Sequence, residues 1–157
     1  MRKLIKLWWR WVLDTHSIKL LVMDCDGTLT DGDVRNKKFN VKDGYGLKNL
    51  NIEKAIITMY DDEALRDFAK RTGINHISIG YEDKLIALNE LMLKYKITYD
   101  EICYVGDDLN DLCCIEKVGI GIAVRDAVSQ VKKKADYVTR KKGGAGAIRE
   151  VIELLKE

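Results

Sequence analysis

The sequence predicts an α/β fold in which helices flank a parallel sheet, and three observations support this prediction. Short apolar runs alternate with segments whose apolar residues recur every three or four positions, which is the pattern of strands covered by helices. Acidic residues stand directly after two of the apolar runs. The length of 157 residues suits one domain with its own core.

The apolar runs define the strands of this sheet. In chain order the predicted strands are residues 18–23, 54–58, 76–78, 101–105 and 119–123, with a short strand at 137–138. Each run is followed by a helix-period segment or a loop, and this alternation is typical of a Rossmann-like topology.

The helix-period segments fill the intervals. The predicted helices are residues 62–71, 83–94, 110–117, 126–133 and 147–155. The first of them places Leu65, Phe68 and Ala69 on one side, and the acids at its start suit the positive end of a helix. The second repeats its apolar residues at three- and four-residue spacing: Leu85, Leu88, Leu91 and Met92.

Between residues 31 and 46 the alternation gives way to short polar pieces punctuated by glycine. We expect two small strands here, at 33–35 and 38–41, that form a β-hairpin flap over the end of the first strand. The insertion has the size of one hairpin, which leaves no room for a separate cap domain.

Residues 1–17 are expected to form an N-terminal amphipathic helical extension that precedes a domain of residues 18–157. Lys6 and Arg10 interrupt its apolar segment, so we do not expect a signal peptide. No apolar run approaches the roughly 20 residues of a membrane-spanning helix. We expect the extension to pack against protein rather than to contact a membrane.

Bulk composition excludes several classes of function. A net charge of +2 gives no reason to expect nucleic acid as a partner. Four cysteines without a CxxC pair indicate free thiols in a reducing cytoplasm rather than disulfides or zinc. Cys25 stands between two acids but has no neighbouring histidine, so we interpret it as a packing residue.

The acids at two strand ends predict the functional site. Ligands of open α/β sheets bind outside the carboxyl ends of the strands. Five suitable side chains from four segments are expected to converge there: Asp24, Asp26, Thr58, Lys84 and Asp107.

This set has the groups that phosphoryl transfer needs. Asp24 can attack phosphorus and form an aspartyl-phosphate. Asp26 can protonate the leaving group and then activate water. Lys84 supplies a fixed positive charge, and Thr58 supplies a hydroxyl donor for a phosphate oxygen.

Clustered carboxylates also predict a magnesium site. Mg²⁺ prefers oxygen ligands, and a cation lets neighbouring acids stay ionised together. We expect Asp24, Asp107 and the backbone carbonyl of Asp26 to be its ligands. Asp108 and Asp111 are expected to hold waters or Lys84.

The spacing of these residues resembles the four motifs of the haloacid-dehalogenase-like phosphohydrolases: Asp24-x-Asp26-Gly27-Thr28, then Thr58, Lys84, and Gly106-Asp107-Asp108-x-x-Asp111. Further segments resemble the family of 3-deoxy-D-manno-octulosonate 8-phosphate phosphatases: Asp31-Gly32, residues 40–46, residues 135–139 and residues 143–150. This resemblance runs from about residue 18 to residue 154.

The resemblance implies a capless, Mg²⁺-dependent phosphatase of lipopolysaccharide biosynthesis that acts on a phosphorylated keto-deoxy sugar acid and forms a homotetramer. It also implies a set of substrate-binding residues: Asp26, Asn40, Val41, Lys42, Asp43, Gly44, Lys48 and Lys84. Residues 143–146 would bring the C-terminal tail near the rim of the site, with Arg149 as an anion contact. The alternative is that they form a flexible turn before a helix.

The chain departs from the family pattern after the motif threonine. Met59-Tyr60 stand where the family usually has Gly-Arg, and Phe68 stands where a second arginine follows. Loss of two guanidinium groups weakens the inference to an eight-carbon sugar acid. A nine-carbon ulosonate phosphate, as in sialic-acid-type pathways, is therefore the alternative substrate.

Two other classes of function remain open at this point. A signalling receiver domain also gathers acids, a threonine and a lysine on a parallel sheet, but the nearest acid to its middle strand is Asp61, which starts a helix. A non-catalytic module on a phosphatase scaffold would account for Met59 and Tyr60, although the four catalytic residues are intact.

Overall fold

The computed structural model describes residues 13–156, so residues 1–12 of the predicted extension of residues 1–17 lie outside them. Within the described range the six strands are β1 (Leu20–Met23), β2 (Glu53–Thr58), β3 (His76–Ile79), β4 (Ile102–Gly106), β5 (Ile120–Ala123) and β6 (Tyr137–Val138). The α-helices are α1 (Val41–Lys48), α2 (Glu63–Thr72), α3 (Lys84–Tyr95), α4 (Leu112–Lys117), α5 (Ser129–Lys134) and α6 (Ala147–Lys156). None of the helices within residues 13–156 could span a membrane.

The strands form one sheet in the order β3-β2-β1-β4-β5-β6, and every pairing in it is parallel. This confirms the predicted sheet flanked by helices. Met23 of β1 lies opposite Ile56 of β2 and Val105 of β4. The strand order reverses between β1 and β4, so the crevice for a ligand is expected at their carboxyl ends.

The core lies around the central strands. Every residue of β1 and β4 is buried, as expected for parallel strands that are covered on both faces. Helix α2 adds Phe68, which is 3% exposed and stacks on Phe39 with ring centroids 4.2 Å apart. Phe68 is therefore a core residue, and the sequence interpretation of its helix stripe is confirmed.

The predicted β-hairpin flap is wrong for this structure. Residues 31–40 form bends and coil, and Val41 begins helix α1. The side chains of Asp31 and Asp33 accept hydrogen bonds from the backbone N–H groups of Asp33, Arg35 and Asn36. These local bonds satisfy donors that a strand ladder would otherwise use, and an isolated two-stranded hairpin has little stability of its own.

Residues 143–146 form a turn before α6, and this turn packs against the turn after β1. The backbone N–H of Gly144 donates to the carbonyl oxygen of Thr28 at 3.2 Å. A Cβ atom on Gly143 would lie 1.8 Å from the carbonyl oxygen of Gly27, so only glycine permits this approach. Residues 143–146 therefore support the turn that carries the predicted catalytic acids.

Asp43 connects helix α1 to helix α6. Its carboxylate is fully buried, and its Oδ1 accepts a hydrogen bond of 2.8 Å from the backbone N–H of Arg149, in the first turn of α6. The Arg149 side chain forms an ion pair with Glu153 at 2.9 Å. Burial raises the pKa of Asp43 to about 6, even though the bond from Arg149 opposes this shift.

We predict that Asp43 makes stability fall with rising pH. The folded chain holds the Asp43 proton more tightly than the unfolded chain, whose pKa is near 3.8, so the contribution of Asp43 to the free energy of unfolding decreases between about pH 4 and about pH 6 and is flat above. Asp43→Asn should remove a change on the order of 3 kcal/mol from this window. Urea unfolding of both proteins across the window checks it, and parallel pH curves for the two would contradict it.

Candidate active site

Three predicted site residues meet at the carboxyl edge of the sheet. Asp24 follows β1, Asp107 follows β4, and Lys84 is the first residue of α3. The Nζ atom of Lys84 lies 2.6 Å from Oδ1 of Asp24. Oxygen atoms of Asp24, Asp107 and Asp111 all lie within 4.8 Å of one another. The convergence expected from the motif spacing is therefore present for these three of the five predicted side chains.

Lys84 is a buried cation between two carboxylates. It is 1% exposed, and its Nζ atom also lies 2.7 Å from Oδ1 of Asp111. Burial alone would lower the pKa of Lys84, but the charges of Asp24 and Asp111 outweigh burial and raise it, so the ammonium group stays charged. Asp83 fixes the start of α3, because its side chain accepts a hydrogen bond from the backbone N–H of Leu85.

Asp111 has both carboxylate oxygens occupied by donors. Oδ1 accepts from Lys84 and from the hydroxyl of Tyr104, each at 2.7 Å. Oδ2 accepts from the backbone N–H groups of Asp107 and Asp108, at 2.9 and 3.2 Å. Asp111 therefore orients Lys84 and the loop after β4. Of the two roles predicted for Asp111, this is the contact with Lys84 rather than with water.

Tyr104 is a site residue that the sequence reasoning missed. It is fully buried in β4 and donates its hydroxyl to Asp111. The available signal was a tyrosine inside an otherwise apolar strand, since a buried tyrosine hydroxyl needs a partner. The hydroxyl of Tyr104 therefore helps to hold the Asp111 carboxylate in place.

The acids of the site carry an excess of negative charge. Burial, with a contribution from the charge of Asp111, raises the pKa of Asp24 well above its ordinary value despite the neighbouring Lys84. Burial also raises the pKa of Asp107 to about 6, and the charge of Asp111 adds to this effect. A single lysine does not balance the charge of three carboxylates, so the cluster favours a cation.

The residues at this edge fit a magnesium ion. Asp24 and Asp107 offer carboxylate oxygens close together, which is the ligand chemistry that Mg²⁺ prefers. Asp111 fits less well as a ligand, because each of its oxygens already accepts two hydrogen bonds. Of the three carboxylates, the fit is therefore best for the predicted pair Asp24 and Asp107.

The turn after β1 is shaped around Asp107. The hydroxyl of Thr28 donates to Oδ1 of Asp107 at 3.0 Å. Gly27 has a φ of 90°, and a Cβ atom on it would lie 2.2 Å from Oδ2 of Asp107. Glycine at this position thus lets the carboxylate lie directly against the backbone of the turn.

Asp26 points its side chain toward the segment of residues 31–40. Its Oδ1 forms an ion pair of 3.0 Å with Lys37, whose Nζ atom also pairs with Asp62. Lys37 is a second residue that the sequence reasoning missed, because a lone lysine gives no local signal. Cys25 lies beside this ion pair, and burial raises the pKa of its thiol to about 12, which agrees with a packing role.

Thr58 is the last residue of β2, the strand next to β1, and is 1% exposed. Tyr60, two residues further on, is 66% exposed. Asp61, the acid that a receiver domain would use, is exposed and forms a two-point ion pair with Arg66, at 2.8 and 2.5 Å. This pairing places the Asp61 carboxylate in a surface contact rather than in the acidic cluster.

The structure divides the residues predicted to bind substrate. Val41, Lys42 and Lys48 are exposed on α1. Asn40 caps this helix, since its side chain accepts hydrogen bonds from the backbone N–H groups of Lys42 and Asp43.

Two other predicted contacts are turned inward. Gly44 faces the ring of Phe68, and the Asp43 carboxylate is fully buried against α6. A direct substrate contact by Asp43 is therefore corrected to a structural role. Asp108 is exposed and caps the turn that follows it through a bond from the backbone N–H of Leu109, so it does not hold Lys84.

Comparison with known proteins gives consistent matches. A family model described as haloacid dehalogenase-like hydrolase matches residues 46–152. The 3-deoxy-D-manno-octulosonate 8-phosphate phosphatase of Escherichia coli K12 is 42% identical over 154 residues, which cover 92% of this chain and 82% of that protein.

Solved structures agree with the sequence matches. The 3-deoxy-D-manno-octulosonate 8-phosphate phosphatase of Moraxella catarrhalis, in complex with magnesium, phosphate and KDO, is 42% identical with a TM-score of 0.86, covering 90% of this chain and 87% of that chain. The cobalt-bound deoxy-D-mannose-octulosonate 8-phosphate phosphatase of Haemophilus influenzae is 34% identical with a TM-score of 0.84, covering 90% and 88%.

Proposed function

Because this chain belongs to the haloacid dehalogenase-like hydrolases, and within them to the family of 3-deoxy-D-manno-octulosonate 8-phosphate phosphatases, we propose that it is a Mg²⁺-dependent phosphatase of 3-deoxy-D-manno-octulosonate 8-phosphate. One observation carries the proposal: the buried Lys84 contacts Asp24, the acid that would attack phosphorus, with Asp107 beside it. The geometry supports a two-step mechanism.

In the first step an oxygen of Asp24 attacks phosphorus. A bond forms between this oxygen and phosphorus, and the bond from phosphorus to the sugar oxygen breaks, leaving its electron pair on the sugar oxygen. Asp26 gives a proton to that oxygen, so the sugar acid leaves as an alcohol. Lys84 holds Oδ1 of Asp24, and the Thr58 hydroxyl donates to a phosphate oxygen.

In the second step water hydrolyses the aspartyl-phosphate. Asp26, now ionised, takes a proton from the water while the water oxygen bonds to phosphorus. The bond between phosphorus and Asp24 breaks, and its electron pair returns to the Asp24 carboxylate. Inorganic phosphate leaves and both acids regain their starting states.

Asp24, Asp107 and the backbone carbonyl of Asp26 would hold Mg²⁺. When bound, the ion supplies positive charge that offsets the crowded carboxylates and the phosphate oxygens. Asp111 keeps its four hydrogen bonds, one of which holds the ammonium group of Lys84 in place.

We propose the eight-carbon substrate because the relatives that match most of the chain are named as phosphatases of this compound. A nine-carbon ulosonate phosphate is the alternative, since Tyr60 and Phe68 leave no guanidinium at the two positions where the family has arginine. Lys42 and Lys48 are exposed cations on α1 and can pair with the substrate carboxylate in either case.

The proposal predicts metal-dependent phosphate release. Phosphate should be released from 3-deoxy-D-manno-octulosonate 8-phosphate with a kcat/KM at least about tenfold above that for a nine-carbon ulosonate 9-phosphate. Chelation by EDTA should abolish release, and added Mg²⁺ should restore it. A higher kcat/KM for the nine-carbon substrate would overturn the substrate assignment, and turnover of neither substrate with Mg²⁺ bound would favour a non-catalytic module.

A homotetramer and a cytoplasmic location are also part of this proposal. Large apolar side chains are exposed on residues 31–48, with Val34, Val41 and Tyr45 at 64%, 86% and 65% exposure, and such side chains favour a protein interface. Free thiols at all four cysteines support a reducing compartment. Light scattering of the purified chain measures the subunit number, and a monomer would contradict the proposed assembly.

A further inference from the structure

Lys37 reaches from the exposed segment of residues 31–40 into the turn that carries the catalytic acids. Its Nζ atom pairs with Asp26 at 3.0 Å and with Asp62, and lies 4.0 Å from Sγ of Cys25. The side chain is 9% exposed, whereas the next residue, Lys38, is exposed. Lysine is rarely buried unless its charge is used, so this placement calls for a specific role.

We propose that Lys37 is a positioning residue for the reaction, because it orients the carboxyl group of Asp26 toward the leaving group. The inference rests on the phosphatase function proposed above. It concerns the alignment of Asp26 and not its identity as the proton donor.

The second anchor of Lys37 makes this orientation rigid. Asp62 caps helix α2, because its Oδ1 accepts a hydrogen bond of 2.8 Å from the backbone N–H of Leu65. Its Oδ2 pairs with Lys37. The ammonium group of Lys37 is thus anchored at the start of α2. Because its partner is anchored, the carboxyl group of Asp26 moves little away from its reactive orientation.

The contact suits both steps of the reaction. Lys37 pairs with Oδ1 of Asp26, which leaves Oδ2 to give and take the proton. Oδ1 is buried and accepts no hydrogen bond from the described residues, so the positive charge of Lys37 is what attracts it, and this charge attracts the carbonyl dipole of a protonated carboxyl group as well as a carboxylate. Orientation of Asp26 by Lys37 is therefore maintained whether or not Oδ2 carries the proton.

Leaving-group dependence tests this role. A sugar alkoxide needs a proton as it departs, whereas p-nitrophenolate is stable without one. Lys37→Met should lower kcat/KM for the sugar phosphate by about 10- to 100-fold and for p-nitrophenyl phosphate by less than about threefold. The comparison uses kcat/KM, because this quantity ends with departure of the leaving group and excludes the hydrolytic step that both substrates share.

Two further variants separate positioning from folding. Lys38→Met is the matched control and should leave both values unchanged. Asp62→Asn keeps an oxygen to cap α2 but removes the charge that holds Lys37, so it should show the selective loss in weaker form. Equal losses on the two substrates, or no loss on either, would overturn the proposal, whereas the rate of the unmodified chain on the sugar phosphate tests the proposed function separately.

Discussion

Asp24→Asn is expected to abolish phosphate release, with kcat lower by at least about 10⁴-fold, since effects of this size or larger follow removal of a catalytic nucleophile. An amide nitrogen or oxygen at this position cannot form the aspartyl-phosphate, and Lys84 and Asp107 alone cannot replace the covalent step. Phosphate release from the sugar phosphate at saturating Mg²⁺ measures the loss.

Stability should move in the other direction in this variant. The pKa of Asp24 is raised well above its ordinary value by burial and by Asp111, so its ionised form is unfavourable in the folded chain without metal. Asparagine removes that charge and still offers an oxygen to Lys84, so the melting temperature in EDTA should be unchanged or higher. Asp67→Asn, on the exposed face of α2, is the matched control. Retained turnover in Asp24→Asn would end the proposed mechanism.

The sheet and the acidic cluster could be predicted because their signals are local. Apolar runs mark parallel strands directly, and residues at strand ends meet at one edge whatever the details of the loops. Asp24 and Asp107 follow from this geometry, and the motif spacing adds Lys84, which begins α3. Their roles then follow from the chemistry that a carboxylate, an ammonium group and a metal site can perform.

Helix α1 could not be predicted in the same way. Its sequence, Val-Lys-Asp-Gly-Tyr-Gly-Leu-Lys, has two interior glycines, which disfavour a helix by roughly 1 kcal/mol each. Long-range contacts offset this: Asp43 bonds to Arg149 of α6, and Gly46 packs against Ile152 of the same helix. Such contacts join residues about 100 positions apart, and no pattern within the sequence of α1 predicts them.

Lys37 and Tyr104 were missed for a related reason. The partners of a lone lysine depend on how the segment of residues 31–40 folds back over the site, and that path is set by tertiary contacts. The phenol of Tyr104 lies in a strand whose pattern looks fully apolar, so its partner, Asp111, becomes evident only when β4 and the loop after it are in place. Lys37 and Tyr104 each hold a carboxylate of the site in place, and such contacts can be identified only from the three-dimensional structure.

Lys84→Met should have the largest effect on stability. Lys84 is the buried cation that faces Asp24 and Asp111, and its removal leaves their carboxylates buried without that partner. Breaking a buried ion pair in this way typically destabilises by about 3–5 kcal/mol, and we expect urea unfolding in EDTA at neutral pH to show a loss of this size. Activity should be lost as well, because no fixed charge then faces the attacking oxygen.

Two conditions should reduce the deficit of Lys84→Met if buried charge is its cause. Lower pH protonates Asp24, whose pKa is raised by burial, and removes its unpaired charge, so the loss should shrink as pH falls. Added Mg²⁺ binds the folded chain through Asp24 and Asp107 and should restore part of the stability by mass action. Lys70→Met, at an exposed position of α2, is the control. If Lys84→Met were as stable as this control at neutral pH without metal, the ion pairs of Lys84 would not hold the acidic cluster together, and its role would be limited to catalysis.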